Sequence, residues 1–444
     1  MKGRFAMSVA VAVAAIVLPA PSFGMHDLGT SSSDSSAALA WNTIAVNTVR
    51  TVVAPAPARF QTEGLIYMSY VQAAVYDAVT KIEGGYVPYH KFGGVNATGA
   101  SAEGAIGAAA RTALNYYLPA EAAAAKVDSQ YTAFLDGLGA KGQSAASIAA
   151  GVAVGKAAAN DIIALRSSDG RNAPTSTFGA IGPVVAGAWQ VVPPATSAQT
   201  PWVAFMKPFL LKKSSQFRLH SPSALSSTAW ANDFNETKAY GSKTSTVRTP
   251  EQTAIAYFWN ANVINQQNQL YQEIAKSRGM NLVNTTRLLA MGELTVTDAA
   301  IACFDSKYHF LLWRPFTAIR NAELDGNTAT EADPNWVPLL NTPNHPEYPS
   351  AHGCVSSALG EVLAKVLHSR SINVDIQGAT NGGSTLVTSR HFATVADLNN
   401  EIVNARVWIG FHYRHSTVEG ETLGRNVAKW ALKRYFGTAK SRKR

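Results

Sequence analysis

Residues 285–315, TTRLLAMGELTVTDAAIACFDSKYHFLLWRP, read as one long apolar helix that runs into a proline. Apolar residues recur at helical spacing from about Thr285 to Trp313, and Pro315 must end or break the helix because it lacks an N–H. Near its end stand Lys307 and Arg314, seven residues apart. At 3.6 residues per turn they fall within about 20° of each other, on one stripe two turns apart. The residues just before Arg314, Phe310 to Trp313, are all apolar, so both cations are expected to be buried, which is costly without a counter-anion. The bland reading is two surface cations whose stems lie along the helix.

Working outward, the chain reads as mostly helical. Trp41, Ile44, Ala45, Val49 and Val52, then Ile66, Tyr67, Tyr70, Ala73, Ala74, Tyr76 and Ala78, keep three- and four-residue spacing. Residues 101–167 divide into three Ala-rich helices, punctuated by Pro119 and by Gly137, Gly139 and Gly142. Residues 168–226 hold many of the prolines and glycines and read as a long irregular segment draped over the helices. Thr249-Pro250-Glu251 opens a further helix, another spans about Ser350 to His368, and two more occupy roughly 394–408 and 417–436. Between them, residues 372–387 read as a Gly/Thr-rich section. Strand signals are few, so the expected fold is all-α, one large helical bundle with long irregular loops.

The bulk properties fit. The chain has 444 residues, 47% hydrophobic and 15% charged, enough apolar material for a large core. Lys2 and Arg4, the uncharged run Phe5–Leu18 and small residues near Ser22 and Gly24 read as a cleaved signal peptide, residues 1–24. The run is short for a membrane span, and no later stretch of that length looks equally apolar and uncharged. The mature protein is therefore expected to be exported, periplasmic or secreted, without a stable membrane span. Residues 25–37 read as a flexible polar lead-in, 38–225 as an N-terminal helical region packed on the core, 226–437 as the catalytic bundle, and 438–444 as a basic tail. The formal charge of +9 owes four units to Lys440, Arg442, Lys443 and Arg444. No basic helix or Arg/aromatic stripe supports nucleic-acid binding; small anions fit better. Two cysteines, Cys303 and Cys354, are either a disulfide or two buried thiols. Homo-oligomerisation is left open.

Two more patterns carry chemistry. In Pro349-Ser350-Ala351-His352, Ser350 is a favoured N-cap, and a helix N-terminus offers free N–H groups to a phosphate-like anion. His352 in the first turn is placed to move protons near neutral pH. In Arg406-Val407-Trp408-Ile409-Gly410-Phe411-His412, two polar residues flank an apolar insert, so at least one needs a buried partner. The imidazole of His412 suits both attack on phosphorus and ligation of a metal oxide. Taken singly, each pattern also has a plain reading: a capped helix start, a satisfied core histidine.

In this order, Lys-x6-Arg-Pro, Pro-Ser-x-His and Arg-x5-His resemble the three-part signature of the phosphatidic-acid-phosphatase and vanadium haloperoxidase superfamily, and the likeness extends over most of residues 40–436. The resemblance implies that Lys307, Arg314, Ser350, the Ala351 N–H and Arg406 hold vanadate or phosphate. It also implies that His412 bonds to vanadium or phosphorus and that His352 is the acid/base, with Lys307 polarising the bound peroxide. Two positions depart from the pattern: Ala351 stands where Gly is commoner, and Ser416 where an Asp often orients the last His. That orientation is expected from a carbonyl or from Glu419.

The N-terminal half resembles the extra helical region of the haloperoxidases, in AVYDAV (74–79) followed by GGYVPY (84–89). This favours a vanadate-dependent haloperoxidase using hydrogen peroxide, halide and a small organic acceptor over an exported acid phosphatase or a non-catalytic oxyanion-binding protein. His345, at a place that is Phe in fungal chloroperoxidases and His in algal bromoperoxidases, points to bromide or iodide. Phe304 is a candidate wall of the same halide pocket, and Asp298 a candidate partner for Arg406 or His352.

Overall fold

The computed structural model describes residues 34–55, 59–179, 182–378 and 388–439. The expected signal peptide and most of the basic tail lie outside them. Fourteen α-helices occur among the described residues: α1 Ser36–Arg50, α2 Gln61–Glu83, α3 Ala102–Tyr117, α4 Pro119–Ala124, α5 Val127–Ala140, α6 Ala145–Leu165, α7 Thr228–Gly241, α8 Pro250–Phe258, α9 Val263–Ser277, α10 Leu282–Phe310, α11 Pro315–Arg320, α12 Ala351–Leu367, α13 Val395–Trp408 and α14 Arg414–Arg434. The all-α reading holds. Local chemistry sets many of the boundaries. Ser101, Asn281 and Ser350 accept helix N–H groups as caps, and Thr249 with Gln252 closes a capping box before Pro250.

One apolar core runs from Trp41 in α1 to Ala431 in α14. Its axis is α10, buried along nearly all of its 29 residues, with α2, α12 and α14 packed around it. Helices α12 and α14 touch backbone to backbone. A Cβ added at Gly424 would lie 1.9 Å from the Cys354 carbonyl oxygen, and one at Gly420 would lie 2.6 Å from that of Ser350. That proximity fixes the N-terminus of α12 against α14.

Several expectations are corrected. Ser36 and Ala37, assigned to the polar lead-in, already belong to α1, with Ala37 buried. The second Ala-rich helix divides into α4 and α5 at Lys126, which takes a left-handed backbone (φ 55°). Residues 371–394 contain an antiparallel pair, β1 Ser371–Gln377 and β2 Ser389–Thr394, where a Gly/Thr-rich section was expected. Ile372, Val374 and Ile376 alternate inward, which is the period-2 signal of a half-buried strand. The segment 168–226 is not a drape. Trp189, Val203, Met206 and Leu210 from it are core residues, and parts of its backbone bond inward, as Trp189 N–H does to Leu311 and Phe209–Leu211 do to Asp298. Among the described helices, α6 is long and apolar enough to cross a membrane by length and composition alone. It carries Lys156 and Asp161, and it packs Gly151 and Gly155 against the backbone of α3.

Candidate active site

Lys307 and Arg314 do not share a helical stripe. Helix α10 stops at Phe310, and Leu311 turns the chain with a left-handed backbone (φ 50°), its N–H bonded to the Lys307 carbonyl. The next residues run extended beside 187–189, Trp313 donating to Gly187 and Trp189 to Leu311. Arg314 is the N-cap of α11, at ψ 155°. The cause is Pro315, whose ring disfavours the helical conformation for the residue before it yet suits the first turn of a new helix. The two cations nevertheless converge, from two elements instead of one.

Lys307, fully buried, donates from Nζ to the carbonyls of Pro346 (2.8 Å) and Glu347 (2.9 Å). Arg314, also fully buried, donates from Nε to His345 O (2.8 Å) and from Nη1 to Phe411 O (2.9 Å) and His412 Nε2 (3.2 Å). Its Nη2 donates to His345 Nδ1 at 2.9 Å. Arg406 donates from Nη1 to Trp259 O at 3.1 Å and lies over the Phe411 ring, while its buried Nε has no partner. Desolvation lowers all three cations: Lys307 to about 8, Arg314 to about 10 and Arg406 to about 9, with Arg314 pressing further on Arg406 by repulsion.

His412 is held from behind by a residue the sequence reading missed. Glu347 Oε1 lies 2.9 Å from His412 Nδ1 and also accepts the Tyr413 N–H at 3.0 Å. Its other oxygen accepts the Ser416 hydroxyl at 2.5 Å. The orienting group, expected from a carbonyl or Glu419, is thus Glu347, and Ser416, where the family pattern often has Asp, donates to it. A carboxylate on Nδ1 fixes the proton there and leaves Nε2 with its lone pair toward Arg314. Burial pushes Glu347 up to about 7, against the pull of Ser416, Lys307 and Arg314. A signal existed in the sequence: Glu347 is the sole acid between Asp333 and Glu361.

The loop 344–350 is pinned by the irregular segment. Asn344 Oδ1 accepts the Val192 N–H (2.6 Å), Asn344 O accepts Gln199 N–H (2.7 Å), and Tyr348 donates to His220 O (3.1 Å). Ser350 Oγ accepts the Gly353 N–H at 3.4 Å as the cap of α12, which keeps its own proton for another acceptor. Ala351 and His352 follow in the first turn, both partly buried. His352 lies against the Trp259 carbonyl, the same oxygen that Arg406 uses, and desolvation followed by the charge of Arg406 holds its pKa well down. His345, buried, packs against Phe60 (centroids 5.6 Å) and Phe304 (5.3 Å), and is likewise held neutral by desolvation and Arg314.

Asp298 belongs elsewhere. Its carboxylate accepts the N–H groups of Phe209, Leu210 and Leu211, each at 2.7 Å, and so anchors the irregular segment, not Arg406 or His352. Both cysteines are free and buried. Cys303 donates to the Pro349 carbonyl at 3.6 Å.

Three buried cations, Lys307, Arg314 and Arg406, thus meet a single buried carboxylate, Glu347, around an imidazole nitrogen with a free lone pair. Such an excess of positive charge is stable only with an anion or an equivalent set of acceptors. The unpaired Arg406 Nε, the Ser350 hydroxyl and the α12 N-terminus are donors for a four-oxygen anion, and His412 Nε2 is a ligand for its central atom. The residues present fit vanadate or phosphate.

The fold is that of the vanadium-dependent haloperoxidases, and residues 287–440 match the family model described as the VCPO second helical-bundle domain. The vanadium chloroperoxidase of Curvularia inaequalis is 24% identical over 228 residues, 38% of this chain and 37% of that protein, so the match spans little more than a third of the fungal enzyme. Among solved structures, one described as the first bacterial vanadium-dependent iodoperoxidase superposes with a TM-score of 0.72 at 22% identity, covering 90% of this chain and 96% of that one. A holo-type bacterial vanadium-dependent chloroperoxidase gives 0.67 at 18% identity, covering 84% and 91%.

Proposed function

We propose that this protein is a vanadate-dependent haloperoxidase that oxidises halide with hydrogen peroxide, bromide or iodide in preference to chloride, for transfer to a small organic acceptor. The observation that carries the reading is the meeting of Lys307, Arg314 and Arg406 around His412 Nε2 with Glu347 behind it. Likeness to haloperoxidases over both halves of the chain favours peroxidase over phosphatase.

Bound vanadate would supply Lewis-acid activation of peroxide without a change of oxidation state. The residues do the rest. His412 would hold the anion's central atom through Nε2, kept available because Nδ1 donates to Glu347. Arg314 and Arg406 would neutralise its oxygens, and the Ser350 hydroxyl and the Ala351 N–H would donate hydrogen bonds to them. Lys307, buried beside the 346–347 carbonyls, would add positive charge to the same anion. His352, neutral at pH 7 by its lowered pKa, is poised to take a proton from hydrogen peroxide. His345, between two phenyl rings and bonded to Arg314, makes the neighbouring pocket more polar than a third Phe would, which supports the larger halides. Export of the chain, expected from residues 1–24, is part of the same proposal.

The test is direct. Full-length protein loaded with orthovanadate is expected to oxidise bromide and iodide with hydrogen peroxide, and inorganic phosphate is expected to inhibit by competition. Hydrolysis of an aryl phosphate without peroxide activity, blocked by vanadate, would replace the reading with a phosphatase that uses His412 as its nucleophile. Oxyanion binding with neither turnover would leave a binding protein.

A further inference from the structure

Helices α3 and α6 end beside one another, and a hollow opens between their last turns. Tyr117 closes α3 just before Leu118-Pro119, and α6 runs to Leu165 before Gly170 turns the chain with a left-handed backbone (φ 88°). The result is a surface cleft of about 280 Å³, walled by Tyr116, Tyr117, Ile163, Arg166, Ser167 and Arg171. None of these residues belongs to the oxyanion cradle. Drug-sized ligands occupy about 300–1,000 Å³, so the cleft suits one small molecule.

The two arginines of the cleft differ. Arg166 is fully engaged: Nε donates to Asp169 Oδ2 (2.9 Å), Nη1 to Pro208 O (2.9 Å) and Nη2 to Lys207 O. Asp169 also accepts the Tyr70 hydroxyl (2.6 Å) and the Arg171 N–H (3.0 Å). The half-buried Arg171 guanidinium makes a single long hydrogen bond, from Nη1 to the Tyr67 hydroxyl (3.5 Å), and lies over the Tyr117 ring at 5.2 Å. No acid pairs with it among the described residues, and Glu63 and Glu121 are taken by Arg59. Two guanidinium groups thus face one carboxylate, and one positive charge is left over. Tyr117 supplies the second sign. Its ring is stacked on Tyr70 (centroids 4.1 Å, 11°) and only 8% exposed, yet its buried hydroxyl has no hydrogen-bond partner. A buried donor without an acceptor is costly, and here the missing acceptor lies beside an unpaired cation.

We propose that this cleft is a binding site for a small aromatic carboxylate, paired with Arg171 and hydrogen-bonded by the Tyr117 hydroxyl. The planar guanidinium fork matches the two oxygens of a carboxylate. A single surplus charge is balanced by a monoanion, where a phosphate dianion would leave one charge unpaired. The ligand's ring has a wall as well. Tyr116 stands edge-on to Tyr117 (4.9 Å, 89°) and is 54% exposed, an aromatic face at the rim of a polar cleft. The inference goes beyond the oxyanion chemistry and does not depend on it.

Full-length protein is titrated with sodium benzoate in a calorimeter, with and without excess orthovanadate. Millimolar or tighter binding is expected, unchanged by orthovanadate because the cradle is a separate site. Arg171→Gln should weaken benzoate at least about tenfold, and Tyr117→Phe about three- to tenfold. Tyr117→Phe removes a hydroxyl that bonds to nothing in the protein, so its melting temperature should match the parent's; Arg171→Gln gives the same reading should that variant fold poorly. Acetate, which has no ring to set against Tyr116, should bind more weakly than benzoate. Benzoate that binds both variants as tightly as the parent, or is displaced by orthovanadate, overturns the proposal. So does acetate or orthophosphate binding as tightly as benzoate, or a parent protein that takes up no benzoate at about 10 mM.

Discussion

At the scale of single residues, Glu347 does the work that the sequence pattern assigned to position 416. It is fully buried, receives three donors, and sets which nitrogen of His412 is bare. Glu347→Gln keeps the shape but removes the charge that fixes the tautomer. Outer partners of this kind are worth about 10–100-fold in metal affinity or activity. We expect a loss of that size in halide oxidation and in orthovanadate affinity, with the melting temperature changed far less. Ser416→Asp added to Glu347→Gln is expected to restore part of the activity, because Ser416 Oγ already stands 2.5 Å from the carboxylate it would replace. Unchanged turnover in Glu347→Gln would show that His412 needs no such support.

At the scale of elements, the site depends on how closely α12 and α14 lie. Gly424 leaves no room for a methyl group, since its Cβ would meet the Cys354 carbonyl at 1.9 Å, backbone against which there is no rotamer to turn. Gly424→Ala is therefore expected to destabilise by about 1–3 kcal/mol or more through overpacking, seen as a lower melting temperature in calorimetry. The N-cap Ser350 rides on α12, so oxyanion affinity should fall with it. A variant as stable as the parent would mean the helices separate at little cost. The break between α10 and α11 belongs to this scale too. The single helical stripe expected for Lys307 and Arg314 does not form: Pro315 moves Arg314 out of the helix, and carbonyls of the 345–347 loop gather both side chains.

At the scale of the whole molecule, α10 carries an acid through the centre of the core. Glu293 is fully buried and bonded by Gln267 (2.9 Å) and Asn268 (2.7 Å), and burial raises it to about 8 from 4.5. A pKa raised in the folded state means that the group's stabilising contribution is complete below pH 4.5 and is lost as pH climbs through 8. Global stability should therefore decline between pH 5 and 9 by up to about 4 kcal/mol from this residue alone. Glu293→Gln is expected to flatten that decline in denaturant titrations at several pH values. An identical pH dependence in the variant would remove Glu293 as its source.

Much of this was legible in the amino-acid order. Helical periodicity, the caps at Thr249 and Ser350, and the prolines at 119, 250 and 315 gave the all-α fold and many helix limits, because these are local effects of backbone geometry. Three short patterns in a fixed order pointed to Lys307, Arg314, Ser350, His352, Arg406 and His412 through their resemblance to a family signature. Tertiary structure alone decided what lies behind and beneath them. Glu347 reaches His412 across 65 positions, Asp298 turns away to hold Phe209–Leu211, and Cys303 on α10 donates to the Pro349 carbonyl just before α12. Spacing along a helix constrains only neighbours within a few turns. Contacts between distant segments depend on how the elements pack, and no local pattern encodes that.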